Sequence, residues 1–379
     1  MKQNRMALMA AALLLVVCCA STALSAEPKK GLLVYDSIYS STPEVAYWLK
    51  AIIGNEQPLD VKKIDQVITV DPYDYVIIGS YSKWEKASPR IYKFIEKNQM
   101  KLAQKQVCYF LLGGDWDETM LLKAPGAPIK LIAGRNYLFD IKDKFPNVKP
   151  IVIGGFGGRQ VMPSLNGQDG FMIWVLEKLS REGAHWVGID IWESLVPARV
   201  EVYGNEIRTK ILGLEPLPPA EVQKYRGFWN SLQPASLADP AKCKTTSLIS
   251  KDNGKTWLPI CERPYTYKLS TEKSYYERSR IKADLATTAK LLADWAAKDG
   301  FELKEERKAD YMTWYTAIKK GGGKDDTLSI VMATMPDDPG NVHISFRSWL
   351  KPDKRKALEE SAAKAEQLLW ADGRKVEGR

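Results

Sequence analysis

The chain has 379 residues, more than one ordinary domain contains, and 45% of them are hydrophobic and 27% charged. This composition excludes an extensively disordered or fibrous protein. The formal net charge is +9, but the basic residues are scattered singly and accompany no recognition motif, so nucleic-acid binding is not expected.

Residues 1–26 predict an export signal. Lys2 and Arg5 precede an apolar run over residues 6–20, and small residues follow at 23–26. The run is shorter than the roughly 20 apolar residues that a spanning helix needs. We therefore expect cleavage, an exported protein with the periplasm as the preferred compartment, and membrane contact that is peripheral at most. A retained anchor is the alternative.

The next unit, residues 31–207, alternates between apolar strand patterns and helical patterns. Strands are expected at Gly31–Ser37, Leu59–Ile64, Tyr75–Ser80, Gln106–Gly113 and Pro150–Gly154, and helices at Thr42–Ile53, Pro89–Lys97 and Phe171–Leu179. Strands separated by helices predict an α/β domain with a five-stranded parallel sheet and helices on both faces. Ligands of such sheets bind where the carboxyl ends of the strands meet.

Residues 208–270 are rich in proline and predict a connector. Within it, residues 250–257 match the pattern S-x-D-x-G-x-T-W, which resembles the Asp-box of sialidase-like propellers. The pattern occurs once, whereas a propeller repeats its unit, so it predicts a single β-hairpin and no sialidase activity. A carbohydrate-active enzyme, the reading that the Asp-box and the many tryptophans suggest, lacks a paired-carboxylate signature.

The last part, residues 271–379, predicts a C-terminal α+β domain. A long helix is expected at Ser274–Lys298, strands at Tyr311–Ile318, Thr327–Thr334 and Val342–Trp349, and a closing helix at Asp353–Trp370. No catalytic constellation is visible there.

The cysteines and histidines limit the chemistry. Cys108 lies in an apolar strand pattern and is expected to be buried and inert. Cys243 and Cys261 lie near each other in an exported, loop-rich region, so a disulfide between them is expected, with two free thiols as the alternative. The two histidines, His185 and His343, lie far apart in sequence and predict no metal site.

The loop after the first strand is rich in hydroxyl groups and opens a helix, which is a suitable cradle for a phosphate. The candidate residues are Ser37, Tyr39, Ser40, Ser41 and Thr42. The loop resembles the phosphate loop of flavodoxins, with Ser37, Ser41 and Thr42 at matching positions. Ser40 stands where flavodoxins usually have glycine. The alternative is that these hydroxyls only cap the helix.

Two further loops complete the resemblance. The segment 79–84 resembles the flavodoxin loop along the isoalloxazine ring, and the resemblance implies roles for Ser80, Tyr81 and Trp84. The loop at 113–116 would meet the pyrimidine edge of the ring, and its candidates are Gly113, Gly114, Asp115 and Trp116. Ordinary buried aromatics remain the alternative for both tryptophans.

The segment 154–179 resembles the flavodoxin-type protoporphyrinogen oxidases, and Arg159 within it is expected to be solvated or to bind an anion.

The resemblance implies a flavoprotein that binds flavin mononucleotide (FMN) non-covalently and takes part in electron transfer as an oxidoreductase, with a redox partner protein or a quinone as partner. No protein side chain is assigned a catalytic role, and whether the chain is an FMN-dependent enzyme stays open. The alternative is a flavodoxin-fold module that has lost FMN and acts as a binding or structural protein of the cell envelope.

Overall fold

The fold is taken from a computed structural model of the chain. It describes residues 27–38, 41–54, 57–83, 86–113, 118–119, 121–122, 130–131, 134–165, 167–171, 189–226, 247–260, 267–270, 275–322 and 326–376.

A parallel sheet forms the centre of the first domain. Its strands are β1 (Gly31–Tyr35), β2 (Leu59–Lys63), β3 (Tyr75–Lys83), β5 (Gln106–Leu112) and β8 (Pro150–Gly155), in the order β2-β1-β3-β5-β8, and a short β4 (Lys86–Ala87) pairs antiparallel with β3. The predicted α/β fold with a five-stranded parallel sheet is confirmed.

Helices cover both faces of this sheet. They are α1 (Ser41–Ile53), α2 (Pro89–Leu102), α3 (Phe139–Lys144), α4 (Pro197–Ile207) and α5 (Pro219–Lys224), with 3-10 turns at Ile64–Gln66, Gly134–Leu138 and Met162–Ser164 and a π-helical turn at Arg208–Leu212. Side chains alternate along each strand, so Leu33 and Ile77 pack against α1 and α4, and Val34 and Ile78 pack against α2 and α3. The inner strands β1, β3 and β5 are largely apolar because both of their faces are buried, whereas the edge strand β2 contains charged, half-buried residues.

A second, antiparallel sheet lies beside the first. It contains β9 (Arg159–Val161), β10 (Ile191–Glu193), β11 (Ser247–Ser250) and β12 (Leu258–Ile260) in the order β12-β11-β10-β9. The predicted Asp-box hairpin is confirmed as β11 and β12, whose turn is held by Asp252 accepting hydrogen bonds from the backbone N–H and the hydroxyl of Thr256, at 2.8 and 2.6 Å. The hairpin pairs with β10, so this sheet joins the connector to the first domain.

The C-terminal domain is a six-stranded antiparallel sheet with two helices on one face. The strands are β13 (Tyr267–Ser270), β14 (Tyr275–Ile281), β15 (Phe301–Ala309), β16 (Met312–Lys319), β17 (Thr327–Thr334) and β18 (Val342–Ser348), and the helices are α6 (Leu285–Asp299) and α7 (Pro352–Trp370). The strand order is β13-β14-β18-β17-β16-β15. A further short pair, β6 (Leu121–Leu122) and β7 (Lys130–Leu131), lies between β5 and α3 in sequence.

One predicted helix was too long. Residues 275–281 were expected to begin the helix but form β14, which pairs with β13 on one side and β18 on the other. The helix α6 starts only after Asp284, whose carboxylate accepts the backbone N–H of Thr287 at 2.6 Å. Strand pairing on both edges outweighs the weak helical spacing of this segment, and β15 was missed because it is charged and mostly exposed.

A network of buried charges joins the two domains. The carboxylate of Glu118 is fully buried and accepts two-pronged hydrogen bonds from the Arg135 guanidinium, at 2.7 to 3.0 Å. Arg135 also donates to the carbonyl oxygen of Thr334 at 2.8 Å. Arg199, buried on α4, donates to Asp337 at 2.9 Å and lies 3.8 Å from Glu118. The first domain thus supplies both arginines and Glu118, and the C-terminal domain supplies Thr334 and Asp337.

Apolar and aromatic side chains surround this network. Phe139 of α3 packs with Tyr311 and Trp314 of the C-terminal domain, and the Arg135 guanidinium lies 3.7 Å from the centre of the Tyr311 ring. The Ser345 hydroxyl donates to the carbonyl oxygen of Thr119 at 2.9 Å. The two domains therefore share a packed interface.

Candidate functional site

The carboxyl edge of the parallel sheet places the first candidate loop between β1 and α1. Ser37 follows β1, and its hydroxyl oxygen is buried with no hydrogen-bond partner among the residues that the structure describes. The helix was expected to begin at Thr42 but begins at Ser41, so Thr42 lies in its first turn and is 1% exposed. Tyr39 and Ser40 lie outside the described residues. Buried polar atoms with no partner among the described residues also occur elsewhere in this domain: the hydroxyls of Tyr75 and Tyr109 in strands, the indole nitrogen of Trp48 on α1 and the hydroxyl of Tyr203 on α4.

Asp36 is a buried carboxylate that the sequence analysis did not single out. It is 2% exposed, its backbone N–H donates to the carbonyl oxygen of Gly79 at 3.1 Å, and its carboxylate accepts hydrogen bonds from the Ser88 hydroxyl and from Arg90, the latter at 3.1 Å. Ser88 caps the N-terminus of α2 by accepting the N–H of Arg90. An acidic residue directly after a buried strand was the available signal.

The second candidate loop is mostly strand. β3 was expected to end at Ser80 but continues to Lys83 and pairs back with β4. The Ser80 hydroxyl is buried, donates to the carbonyl oxygen of Tyr81 at 2.8 Å and accepts the Ser88 N–H at 2.8 Å. This hydroxyl therefore serves the fold, while the half-buried Tyr81 lines the surface. Trp84 lies outside the described residues.

The third candidate loop begins at Gly113, where three segments meet. A Cβ atom placed on Gly113 would lie 3.1 Å from the Cβ of Ser82, and one placed on Gly158 would lie 3.5 Å from the backbone of Gly113. Glycine at position 113 thus eases the close approach of β3 to the end of β5, whereas a Cβ atom on Gly158 would be in ordinary contact. Gly114, Asp115 and Trp116 lie outside the described residues.

Arg159 is neither solvated nor free, which corrects the expectation for it. Its guanidinium is 15% exposed and pairs with Glu44, in the first turn of α1, at 2.9 Å and with Glu193 at 2.6 Å. Burial raises the pKa of Glu193 to about 7, despite the attraction of Arg159. Two acidic side chains of the protein itself already contact this arginine, so it is occupied as a link between β9, β10 and α1.

Some of the cysteine and histidine residues discussed above lie in the described part of the chain, and others do not. Cys108 is buried as predicted, and burial raises the pKa of its thiol to about 12. Cys243, Cys261 and His185 lie outside the described residues, and His343 is buried 2.7 Å from Asp338. Across the described residues, no three His, Cys, Asp or Glu side chains are grouped as metal ligands. No helix in the same part of the chain is long and apolar enough to span a bilayer.

Comparison with known proteins identifies the first domain. Residues 32–185, less than half of the chain, match the family model of a flavodoxin domain. No curated protein matches the chain. The domain is therefore flavodoxin-like, and the match supports a flavin cofactor.

Several solved structures are similar to part of the chain. A flavodoxin from the domain Archaea is 19% identical, with 32% of this chain and 77% of that one covered and a TM-score of 0.24. A Fusobacterium nucleatum flavodoxin bound to flavin mononucleotide is 14% identical, with 34% and 71% covered and a TM-score of 0.22. A two-electron reduced flavodoxin from Megasphaera elsdenii is 18% identical, with 32% and 80% covered and a TM-score of 0.23.

Proposed function

We propose that the chain, whose residues 32–185 form a flavodoxin-like domain, binds FMN non-covalently at the carboxyl edge of its parallel sheet and takes part in electron transfer. Bound FMN would supply the redox chemistry, and the protein would supply binding, orientation and electrostatics. No nucleophile or general base of the protein is required.

The observation that carries the proposal is the unpartnered hydroxyl of Ser37. This oxygen is buried in the segment that leads from β1 to α1, whose 13 residues begin at Ser41. A buried hydroxyl without a partner costs about 1–3 kcal/mol, and a phosphate oxygen that accepted its hydrogen bond would remove this cost. The residues present therefore fit a phosphorylated ligand.

The other residues of the edge have distinct roles in this proposal. The first backbone N–H groups of α1 and the hydroxyls of Ser41 and Thr42 would hold the phosphate. Tyr81, half-buried at the end of β3, would flank the flat ring, and Gly113 would leave its backbone N–H accessible to the ring edge.

Export and partners belong to the same proposal. The basic and apolar pattern of residues 1–26 supports secretion, and we expect the mature chain to work in the periplasm. A redox partner protein or a quinone would exchange electrons with the flavin.

A second candidate is a flavodoxin-fold module without a cofactor. The buried carboxylate of Asp36 favours it, because this group directly precedes Ser37 and its negative charge opposes a phosphate. Arg90 offsets part of that charge from 3.1 Å. Ser40 in place of glycine also favours the module without a cofactor, because glycine takes the backbone conformations that let a phosphate approach.

The visible absorption spectrum of the mature chain, secreted by a bacterial host and purified, tests the proposal. We expect a yellow protein with the two absorption bands of a flavin, or a colourless one that acquires them when FMN is added. A chain that stays colourless after incubation with FMN and passage over a desalting column would contradict the proposal and leave the cofactor-free module.

A further inference from the structure

The sheet of the C-terminal domain ends in a strand with an open outer edge. β15 is the last strand in the order of this sheet, and among the residues that the structure describes it pairs with β16 alone. The open edge of a sheet carries a row of N–H and C=O groups to which another extended strand can add. The regular part of this edge covers residues 301–305, because the register with β16 shifts at a β-bulge between Glu305 and Arg307.

Alternate residues of the segment 301–305 direct their backbone groups outward. The N–H of Lys320 donates to the carbonyl oxygen of Gly300 at 2.8 Å, so these two residues form a hydrogen-bonded pair. Hydrogen-bonded and non-hydrogen-bonded pairs alternate along an antiparallel ladder. Phe301, Leu303 and Glu305 therefore lie in non-hydrogen-bonded pairs with β16, and their N–H and C=O groups point to the open edge.

The charges of this segment are complementary to the same segment running in the opposite direction. Glu302 and Lys304 are exposed, and they flank Leu303. If two copies of the strand pair antiparallel with Leu303 opposite Leu303, Glu302 of each copy lies opposite Lys304 of the other. The two neighbouring registers that keep outward backbone groups opposite each other would place Glu302 opposite Glu302, or Lys304 opposite Lys304. Like charges in directly opposite positions are destabilising, so the charges select the register centred on Leu303.

The helix α6 has small side chains on the side that faces this edge. α7 lies over β14 and β18, and α6 lies over β15, so the side of α6 away from α7 is directed toward the open edge. The indole N–H of Trp295 donates to the carbonyl oxygen of Ser361 on α7 at 3.0 Å. Ala286, Ala293 and Ala297 are exposed and recur on one face of the helix, about half a turn from Trp295. This face would let a second α6 helix approach to a packing distance of about 8–10 Å.

We propose that the chain forms a symmetric homodimer by antiparallel pairing of β15 with β15 of a second copy, in the register centred on Leu303. A two-fold axis between the two Leu303 residues would join the sheets into one and place both α6 helices side by side on the same face. About six backbone hydrogen bonds would close the edge, and the half-buried Leu303 would lose its remaining exposure. The surface contains none of the candidate flavin residues, so the proposal does not depend on the proposed function.

Sedimentation equilibrium of the mature full chain measures this association. We expect a reversible equilibrium between monomer and dimer with a micromolar dissociation constant. Lys304→Glu turns both ion pairs of the dimer into repulsions, so it should raise the dissociation constant about tenfold or more. Lys308→Glu is the matched control, because it makes the same change in charge at an exposed position of β15 beyond the bulge. It should change the dissociation constant by less than about threefold.

Exchange of the two charges tests the register. Glu302→Lys alone should weaken the dimer about as much as Lys304→Glu, because it again places like charges opposite each other. A double variant with Glu302→Lys and Lys304→Glu restores opposite charges in the same register. Its dissociation constant should return to within about threefold of the wild-type value. Both side chains are exposed, so these variants should remain folded.

Several results would overturn the proposal. A chain that stays monomeric at about 100 μM would show that the edge does not pair, because a micromolar dissociation constant gives mostly dimer at that concentration. A double variant that associates as weakly as the single variants would show that Glu302 and Lys304 do not lie opposite each other. Equal effects of Lys304→Glu and Lys308→Glu would show that the net charge of the chain, rather than this register, controls association.

Discussion

The domain interface and the carboxyl edge of the parallel sheet both bury polar groups, but the two regions differ in whether these groups have partners within the protein. At the interface, Glu118 and Arg199 are fully buried and are paired with each other, with Arg135 or with Asp337. At the edge, the buried hydroxyl of Ser37 has no partner in the part of the chain that the structure describes. Buried charges that the protein satisfies by itself indicate a structural role, whereas the function proposed above gives the Ser37 hydroxyl a ligand as its partner.

Removing a charge from the interface should have the largest effect. Arg199→Met leaves Asp337 and Glu118 buried with one partner fewer, so we expect the free energy of unfolding to fall by about 3–5 kcal/mol. Urea denaturation measures this change. Lys210→Met is the control, because it breaks an exposed pair with Glu206 and should cost at most about 0.5 kcal/mol. Similar losses in the two variants would contradict the structural role of the buried network.

The second largest effect should be a pH dependence of the unfolding free energy. It arises from Glu193, which lies outside the domain interface. Its pKa is raised from 4.5 to about 7, so the folded chain retains this proton over a pH range in which the unfolded chain has lost it. The stabilising contribution is therefore complete below about pH 4.5 and is lost as the pH rises to about 7, with a total of at most about 3 kcal/mol.

Glu193→Gln removes this titration. We expect the difference in unfolding free energy between wild type and variant to change in this pH window, with the wild type losing more stability on going from about pH 4.5 to about pH 7. Chemical denaturation at several pH values provides the measurement. Parallel curves for wild type and Glu193→Gln would show that the proton of this carboxyl group is not retained on folding.

Two serines of the edge give the smallest and sharpest comparison. Ser88 donates to Asp36 and accepts from Arg90, so Ser88→Ala should lower the free energy of unfolding by about 1–2 kcal/mol. The Ser37 hydroxyl has no partner among the described residues, so Ser37→Ala should leave the flavin-free chain as stable as before or up to about 1 kcal/mol more stable. Thermal and urea denaturation of the two variants would contradict this contrast if both lost the same stability.

Most of the first domain could be predicted because its signal is local. Strands such as Tyr75–Lys83 and Gln106–Leu112 are apolar where both faces are buried, and the turns between them end in glycine or begin a helix. The segment 275–281 could not be predicted, because its conformation depends on pairing with two other strands, β13 and the distant β18. Its own residues favour neither state.

The position of the candidate loops in the fold could be predicted, but the hydrogen bonds and ion pairs of their residues could not. The order of strands and the hydroxyl-rich loop placed Ser37 and Thr42 correctly at the carboxyl edge. The partners of Arg159 could not be foreseen, because Glu44 and Glu193 come from different elements that only the tertiary structure brings together. The hydrogen bond that the Ser80 hydroxyl accepts could not be foreseen either, because its donor is the backbone N–H of Ser88, eight residues later.

The central claim, a phosphate-binding flavin site at this edge, is tested most directly by comparing FMN with riboflavin, which lacks the phosphate. Equilibrium dialysis of the flavin-free mature chain should show one FMN bound per chain and riboflavin bound much more weakly. Ser37→Ala should reduce the affinity for FMN about tenfold and leave that for riboflavin unchanged. Equal affinities for the two flavins, or no binding of either, would contradict the account.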